Sequence, residues 1–193
     1  MTLVIGKYLG EDVLDLTKIE SQSLQLHTEQ FNLREMILNT IADSRNEIKK
    51  EYNDNIVLEL VSKNDIFIEA DRGRLNQVVS NLLNNAIKFT NKGIIITTAE
   101  KKDTHVVISV KDTGTGIDPG ILPRLFTRFA TKSESKTGTG LGLFISKNIV
   151  EAHGGRIWAE NNSHEKGATF TFSLPLSKEK QRPSPLLPPD RTN

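Results

Sequence analysis

The sequence predicts an α/β (α+β) fold, a two-layer sandwich in which helices cover one face of a mixed sheet. Three observations point to it. Pairs of short β-branched segments alternate with helical stretches and do not follow strict βαβ repeats. Apolar residues in the intervening stretches recur at three- and four-residue spacing. No internal repeat divides the 193 residues, which leave room for one substantial domain with short appendages.

The elements follow in order. Leu9, Val13 and Leu16 mark a helical stretch ending near Glu20-Ser21, and the polar residues 21–31 read as a linker. Met36, Ile37, Thr40, Ile41 and Ile48 share one face of a helix over about 33–50, with Asn32 as its cap and Glu35 three residues on. Two β-rich segments, 56–61 and 66–70, flank Ser62-Lys-Asn-Asp65, which reads as the turn of a hairpin. A helix over 72–89 and strands over 93–99 and 106–110 come next. Residues 112–140 are glycine-rich and mostly irregular, with a short helix expected around 121–129. A helix over 141–152 is closed by Gly154-Gly155, and strands over 156–160 and 168–175 complete the sheet. Beyond Pro175 the richness in Pro, Lys and Arg is that of a disordered tail.

Composition excludes several functions. With 25 Lys+Arg against 24 Asp+Glu there is no electrostatic case for nucleic acid or an anionic membrane. The absence of cysteine removes disulfides, zinc–thiolate sites and thiol nucleophiles. No apolar run approaches the ~20 residues of a membrane span, and Met1–Gly6 is too short and too neutral for a signal sequence. The expectation is a cytoplasmic chain without direct membrane contact, a monomer or weak dimer.

Chemistry concentrates in three places. In the 72–89 helix, Leu75, Val78, Val79, Leu82, Leu83, Ala86 and Ile87 form an apolar stripe, while Asn81, Asn84, Asn85 and Lys88 line the opposite edge. Mid-helix asparagine costs about 0.5 kcal/mol relative to alanine. Three of them either decorate a solvated face or have a task. An amide oxygen is a hard, neutral ligand that suits Mg²⁺, which takes its remaining oxygens from water and phosphate, and Lys88 could meet a phosphate oxygen.

The first glycine cluster, Asp112-Thr-Gly-Thr-Gly-Ile117, leaves the end of a strand. Gly114 and Gly116 would let a flat ligand approach the backbone, and Asp112 could accept a hydrogen bond from an exocyclic amine such as that of adenine. A tight turn capped by Asp112 would look the same.

The second cluster, Gly138-Thr-Gly-Leu-Gly-Leu143, opens a helix whose free N–H groups and dipole suit phosphate. It is not a Rossmann fingerprint, because Leu143 or Ile145 stands where the third glycine belongs. It also lacks the Gly-Lys-Ser/Thr of a Walker loop, and the chain lacks Asp-Phe-Gly and His-Arg-Asp. Between the clusters lie Arg124, Arg128, Lys132 and Lys136 with Phe126 and Phe129, a composition for a mobile lid over a polyphosphate or for a solvated insertion.

Taken in order, Asn81-Leu-Leu-Asn-Asn-Ala-Ile-Lys-Phe-Thr90, Asp112-Thr-Gly-Thr-Gly-Ile117, Leu125-Phe-Thr-Arg-Phe129 and Gly138-Thr-Gly-Leu-Gly-Leu143 resemble the N, G1, F and G2 boxes of sensor histidine kinases. Gly167–Pro175 is similar to that family's last strand, and Asp12–Glu20 to the end of its second dimerisation helix. The resemblance covers about Leu9 to Pro175. It implies the Bergerat-type ATP-binding sandwich with a mobile lid, shared with gyrase, Hsp90-type chaperones and MutL-type ATPases.

It also implies an organisation: residues 1–26 as helix end and linker, 27–176 as catalytic domain and 177–193 as tail. By position, Asn85 becomes the Mg²⁺ ligand with Asn81 beside it, Lys88 a phosphate contact and Asp112 the adenine acceptor. Gly114, Gly116 and Ile117 shape the base pocket. Phe129, Lys132, Thr137, Gly138, Thr139, Gly140, Leu141, Gly142 and Leu143 belong to the lid and the phosphate-facing loop.

The implied cofactors are ATP and Mg²⁺, and the implied activity is protein-histidine kinase in a two-component phosphorelay. The implied partners are a dimerisation and histidine-phosphotransfer domain and a response regulator receiver domain. The phosphoacceptor is expected elsewhere. Ser163-His-Glu165 imitates its first letters, but Lys-Gly-Ala-Thr-Phe follows and leads into a strand, and His27, His105 and His153 do not fit. No residue of this chain is therefore expected to be the catalytic base or acceptor, and the chain alone should not phosphorylate itself. The alternatives are a regulatory ATP-binding module, or a gyrase- or chaperone-type ATPase, which would need an acid on an early helix such as Glu47.

Overall fold

The computed structural model describes residues 2–51, 55–130 and 139–176. Its elements are α1 (Thr2–Glu20), β1 (Glu29–Asn32), α2 (Leu33–Glu51), β2 (Ile56–Val61), β3 (Phe67–Ala70), α3 (Arg72–Phe89), β4 (Gly93–Lys101), β5 (His105–Asp112), α4 (Gly142–Ala152), β6 (Arg156–Asn161) and β7 (Ala168–Pro175). Five strands form a mixed sheet in the order β2-β4-β5-β7-β6. The β2–β4 pair is parallel and the other pairs are antiparallel.

The helices α2, α3 and α4 cover one face of this sheet, as expected. Strand alternation explains why: Val106, Ile108, Val110 and Asp112 of β5 point inward and are buried, while their neighbours are partly exposed. The core between the layers is made by Leu33, Ile37, Leu75, Leu82, Ile145 and Ile149 from the helices against Leu58, Ile95, Ile108 and Phe172 from the sheet. All seven apolar positions of the α3 stripe are buried.

Capping sets the helix entries. Asn32 Oδ1 accepts the N–H groups of Arg34 (3.0 Å) and Glu35 (3.4 Å) at the start of α2. Asp71 caps α3 by accepting Arg74 N–H at 2.9 Å, and its other oxygen accepts His27 N–H at 2.8 Å. His153, at the end of α4, donates from Nδ1 to Ile149 O (2.8 Å) and accepts Asp71 N–H on Nε2 (3.1 Å). The start of α3 is thereby tied to the end of α4.

Four expectations fail. Residues 56–61 and 66–70 do not form a hairpin: β2 pairs with β4, and β3 pairs antiparallel with β1 in a separate two-stranded sheet. Alternation in β2 and β3 identifies their buried faces but not their partners. The linker expected over 21–31 contains β1, whose only buried side chain is Phe31. The short helix expected over 121–129 reduces to a 3-10 turn, Leu122–Arg124, with Pro123 inside it. The side chains of Leu9, Glu47 and Ile48, and the tail 177–193, lie outside the described residues. Val13, expected on the apolar face of α1, is half exposed, while Leu16 packs on the core.

Candidate functional site

Helix α3 joins the two glycine clusters. Its Asn81 amide donates to Gly142 O at 3.2 Å and to Ser146 Oγ at 3.3 Å, so Asn81 lies against the first turn of α4. A Cβ at Gly142 would already stand 3.4 Å from the Asn81 amide carbon. Asn85 follows one turn on, partly buried like Asn81, whereas Asn84 points to solvent. At the C-terminus of the same helix the first cluster is seated directly on the backbone. Thr115 N–H donates to Phe89 O (3.1 Å), and a Cβ on Gly114 would lie 2.3 Å from that oxygen. Asn81 and Phe89 are eight residues apart, about 12 Å along the helix at 1.5 Å per residue.

Asp112, at the end of β5, is buried with 3% exposure. Its Oδ1 accepts two backbone N–H groups, Gly114 at 2.8 Å and Ala168 at 3.3 Å. Burial is the largest influence on this carboxyl and pushes its pKa up, and the two N–H donors only partly offset it. Both of these bonds fall on Oδ1, and a buried carboxylate whose other oxygen could accept a ligand's N–H suits an exocyclic amine. Gly116, at φ +77°, turns the chain in the left-handed region that favours glycine. Ile117 beyond it is partly buried against the core.

The second cluster leads into α4 without an acid in the first turn and without a side-chain cap from Leu141. That start therefore presents backbone N–H groups and a partial positive charge. Gly140 sits at φ +69°, and its carbonyl accepts Phe129 N–H at 3.1 Å. Phe129 itself is 64% exposed and holds a positive φ of 56°, uncommon for a residue with a side chain. Phe126 packs on the core. Thr139 Oγ accepts Leu141 N–H at 3.2 Å, Leu141 is buried, and Leu143 packs on the core. Lys132, Lys136, Thr137 and Gly138 lie outside the described residues.

Lys88 is partly buried with its ammonium 5.1 Å from the Phe89 ring centre, and burial pushes its pKa down. An anion beside it would reverse that cost. Among the described residues no group of three or more His, Cys, Asp or Glu side chains could hold a metal. A divalent cation here would depend on an amide oxygen such as that of Asn85, with water and ligand oxygens completing its shell, which fits Mg²⁺. A cleft of about 340 Å³ between α2 and α3, lined by Asn39, Asp43 and Asn76 among others, shares no residue with this site.

Helix α1 docks on the same region through side chains that spacing alone did not single out. Asp15, 5% exposed, receives Arg74 Nη1 on one oxygen and Gln77 Nε2 on the other, each at 2.7 Å. Thr139 Oγ donates to Asp12 Oδ2 at 2.9 Å. Glu20 pairs with Arg128, whose guanidinium lies 5.0 Å from the Phe144 ring centre. Asn161 and Asn162, at the end of β6, bond back to Ile117 and Asp112. In the sequence they are indistinguishable from ordinary turn residues. His164 lies in the β6–β7 loop, as expected.

Known proteins share this fold. Residues 70–178 match the family described as histidine kinase-, DNA gyrase B-, and HSP90-like ATPase. The sensor histidine kinase WalK of Bacillus subtilis is 34% identical over 180 residues, which are 90% of this chain and 29% of that protein. The chain thus spans less than a third of that curated relative. The catalytic domain of the histidine kinase ThkA superposes with a TM-score of 0.69 at 37% identity, covering 78% of this chain and 98% of that one. ThkA solved in complex with the response regulator TrrA superposes with a TM-score of 0.70 at 33% identity, over 92% of this chain and 51% of that one. No helix among the described residues is long and apolar enough to cross a membrane.

Proposed function

The chain belongs to the family of histidine kinase-, DNA gyrase B- and HSP90-like ATPases, and from that premise we propose that it binds Mg·ATP and passes the γ-phosphoryl group to a histidine. The acceptor belongs to a dimerisation and phosphoacceptor domain of the same or a partner kinase, in two-component signal transduction. The observation that carries this is the sharing of one helix. The Asn81 amide of α3 touches the uncapped start of α4, while the C-terminus of α3 seats the loop that carries Asp112.

Each residue then has a task. Asp112 accepts the adenine amine, and Gly114, Gly116 and Ile117 shape the base pocket. Lys88 and the N–H groups of Gly142 and Leu143 hold the phosphates. Asn85, flanked by Asn81, holds Mg²⁺, which when bound neutralises triphosphate charge. Thr139, Gly140 and Leu141 form the neck next to the phosphates, and Phe129 closes against it. Phosphoryl transfer asks little covalent work of the protein, so positioning and charge compensation would supply most of the rate. A response regulator receiver domain is the downstream partner, as the ThkA–TrrA complex supports.

A gyrase- or chaperone-type ATPase is the second reading. The docking of α1, through Asp12 on Thr139 and Asp15 on Arg74, favours the kinase, because it ties a dimerisation-type helix to the nucleotide site.

The test is labelled Mg·ATP with and without a separately purified dimerisation domain from a related kinase. Acid-labile, base-stable phosphate on that domain, and none on this chain alone, is expected. Release of inorganic phosphate with no phosphohistidine would favour the ATPase reading instead.

A further inference from the structure

We infer that the β6–β7 turn is a support for the base site, with Asn161 and Asn162 as positioning residues that set adenine-over-guanine selectivity. The inference rests on the proposed reading of Asp112 as the adenine acceptor. Asn161 ends β6 and Asn162 opens the turn, where asparagines usually satisfy themselves within two or three residues. These two reach across the chain. Asn161 Oδ1 accepts Ile117 N–H at 2.7 Å, and its Nδ2 donates to Ile117 O at 2.9 Å, so one side-chain amide copies both halves of a strand bridge. Neither Asp nor Ala can supply both bonds.

Asn162 works on Asp112. Its Nδ2 donates to Asp112 O at 2.8 Å and, at greater length, to Lys166 O at 3.3 Å, while its Oδ1 accepts the Thr169 hydroxyl at 2.8 Å. The same turn supplies Ala168 N–H to Asp112 Oδ1. The main chain and the carboxylate of Asp112 are therefore both held from β6–β7, which fixes Oδ1 and leaves Oδ2 to be aimed.

Glycines make the approach possible. A Cβ on Gly167 (φ +113°) would lie 2.0 Å from Asp112 O, and one on Gly116 would lie 2.9 Å from Asn161 Oδ1. Adenine offers an amine donor where guanine offers a carbonyl acceptor, so a firmly aimed carboxylate rewards the first and repels the second. Neither asparagine is bonded to the asparagine edge of α3 or to the start of α4, so the effect should be confined to the base.

The experiment measures ATP and GTP affinity by calorimetry, with Mg²⁺ dependence and melting temperature, for wild type, Asn162→Ala, Asn162→Asp, Asn161→Ala, Asn161→Asp and Asp112→Ala. One lost hydrogen bond is worth about a three- to tenfold change. Asn162→Ala should lower the ATP:GTP affinity ratio about tenfold and Asn161→Ala about threefold, with Mg²⁺ dependence retained. Asn161→Asp, which sets a carboxylate oxygen against Ile117 O where the donor stood, should lower the ratio at least as much as Asn161→Ala. It also stands in for Asn161→Ala should that variant fail to fold, as Asn162→Asp does for Asn162→Ala. A lowered melting temperature with equal loss of ATP and GTP would reduce the asparagines to a structural role and overturn the inference. If Asp112→Ala keeps the wild-type ratio, the base reading itself fails. If Asp112→Ala abolishes selectivity while the asparagine variants retain it, only the support role fails.

Discussion

Replacing Gly114 by Ala tests how tightly the first glycine cluster is seated. The new methyl would lie 2.3 Å from Phe89 O, 2.8 Å from Phe89 C and 2.8 Å from Thr90 Oγ1. Comfortable contacts are about 3.5 Å, and two of these three atoms are backbone at the end of α3, which cannot swing aside. The loop must retreat, stretching Thr115 N–H to Phe89 O (3.1 Å) and Gly114 N–H to Asp112 Oδ1 (2.8 Å). Overpacking of this kind costs about 1–3 kcal/mol, and each weakened bond about 1 kcal/mol. A total of about 3–5 kcal/mol corresponds to a melting temperature lower by about 6–20 °C for a chain of this size. Because the retreat loosens Asp112, the stabilisation produced by saturating ATP should shrink as well. Thermal melts followed by circular dichroism, with and without Mg·ATP, measure both effects. A variant melting within about 1 °C of wild type, with an undiminished ATP-induced shift, would refute the close seating on α3.

Asp112→Asn should raise stability at neutral pH while impairing adenine binding. Burial lifts the native carboxyl above its ordinary 3.8, so the native state keeps its proton to higher pH than the unfolded chain. The cost of charging it therefore applies above the native pKa and disappears as pH falls towards 3.8. Urea unfolding should show the variant's advantage at pH 7 and its loss in acid; a pH-independent difference contradicts this. Asp71 behaves oppositely. Burial is the largest influence and opposes ionisation, but the Arg74 and His27 N–H groups and the charge of Arg74 together lower its pKa. Asp71→Ala should cost about 1–2 kcal/mol at pH 7, a deficit that fades as pH falls below 3.8 through the native pKa; equal deficits at pH 7 and pH 2 would count against the capping role. Asp15→Ala should loosen α1 and expose residues 20–26 to proteolysis, since it strands Arg74 and Gln77. The double variant Asp15→Leu/Arg74→Met should recover much of that resistance, and no recovery would place the loss elsewhere.

The asparagine helix was legible because two periodicities coincide in it. Seven apolar positions at helical spacing are buried, and Asn81 of the polar edge lies against α4. The glycine clusters were legible because Gly116 and Gly140 occupy positive φ, where other residues are strained. The pairing of β3 was not, since Ile68 and Ala70 declare an inner face whichever strand lies beside them, and the partner segment offers only Phe31. Nor was the docking of α1, which depends on Asp15 meeting a residue 59 positions away. The asparagine clamp was hidden for the same reason, with Asn161 and Ile117 separated by 44 residues. Local pattern reports a residue's own conformation, and contacts of that sequence separation belong to the assembled fold.

The most direct measurement is a titration of Mg·ATP into isotopically labelled protein, following the backbone amides of Gly114, Gly116, Gly140 and Gly142 and the side-chain amides of Asn81 and Asn85. One nucleotide bridging α3, the Asp112 loop and the start of α4 should shift all of them with a single dissociation constant. Shifts confined to one glycine cluster, or two clusters titrating with different constants, would contradict a shared site.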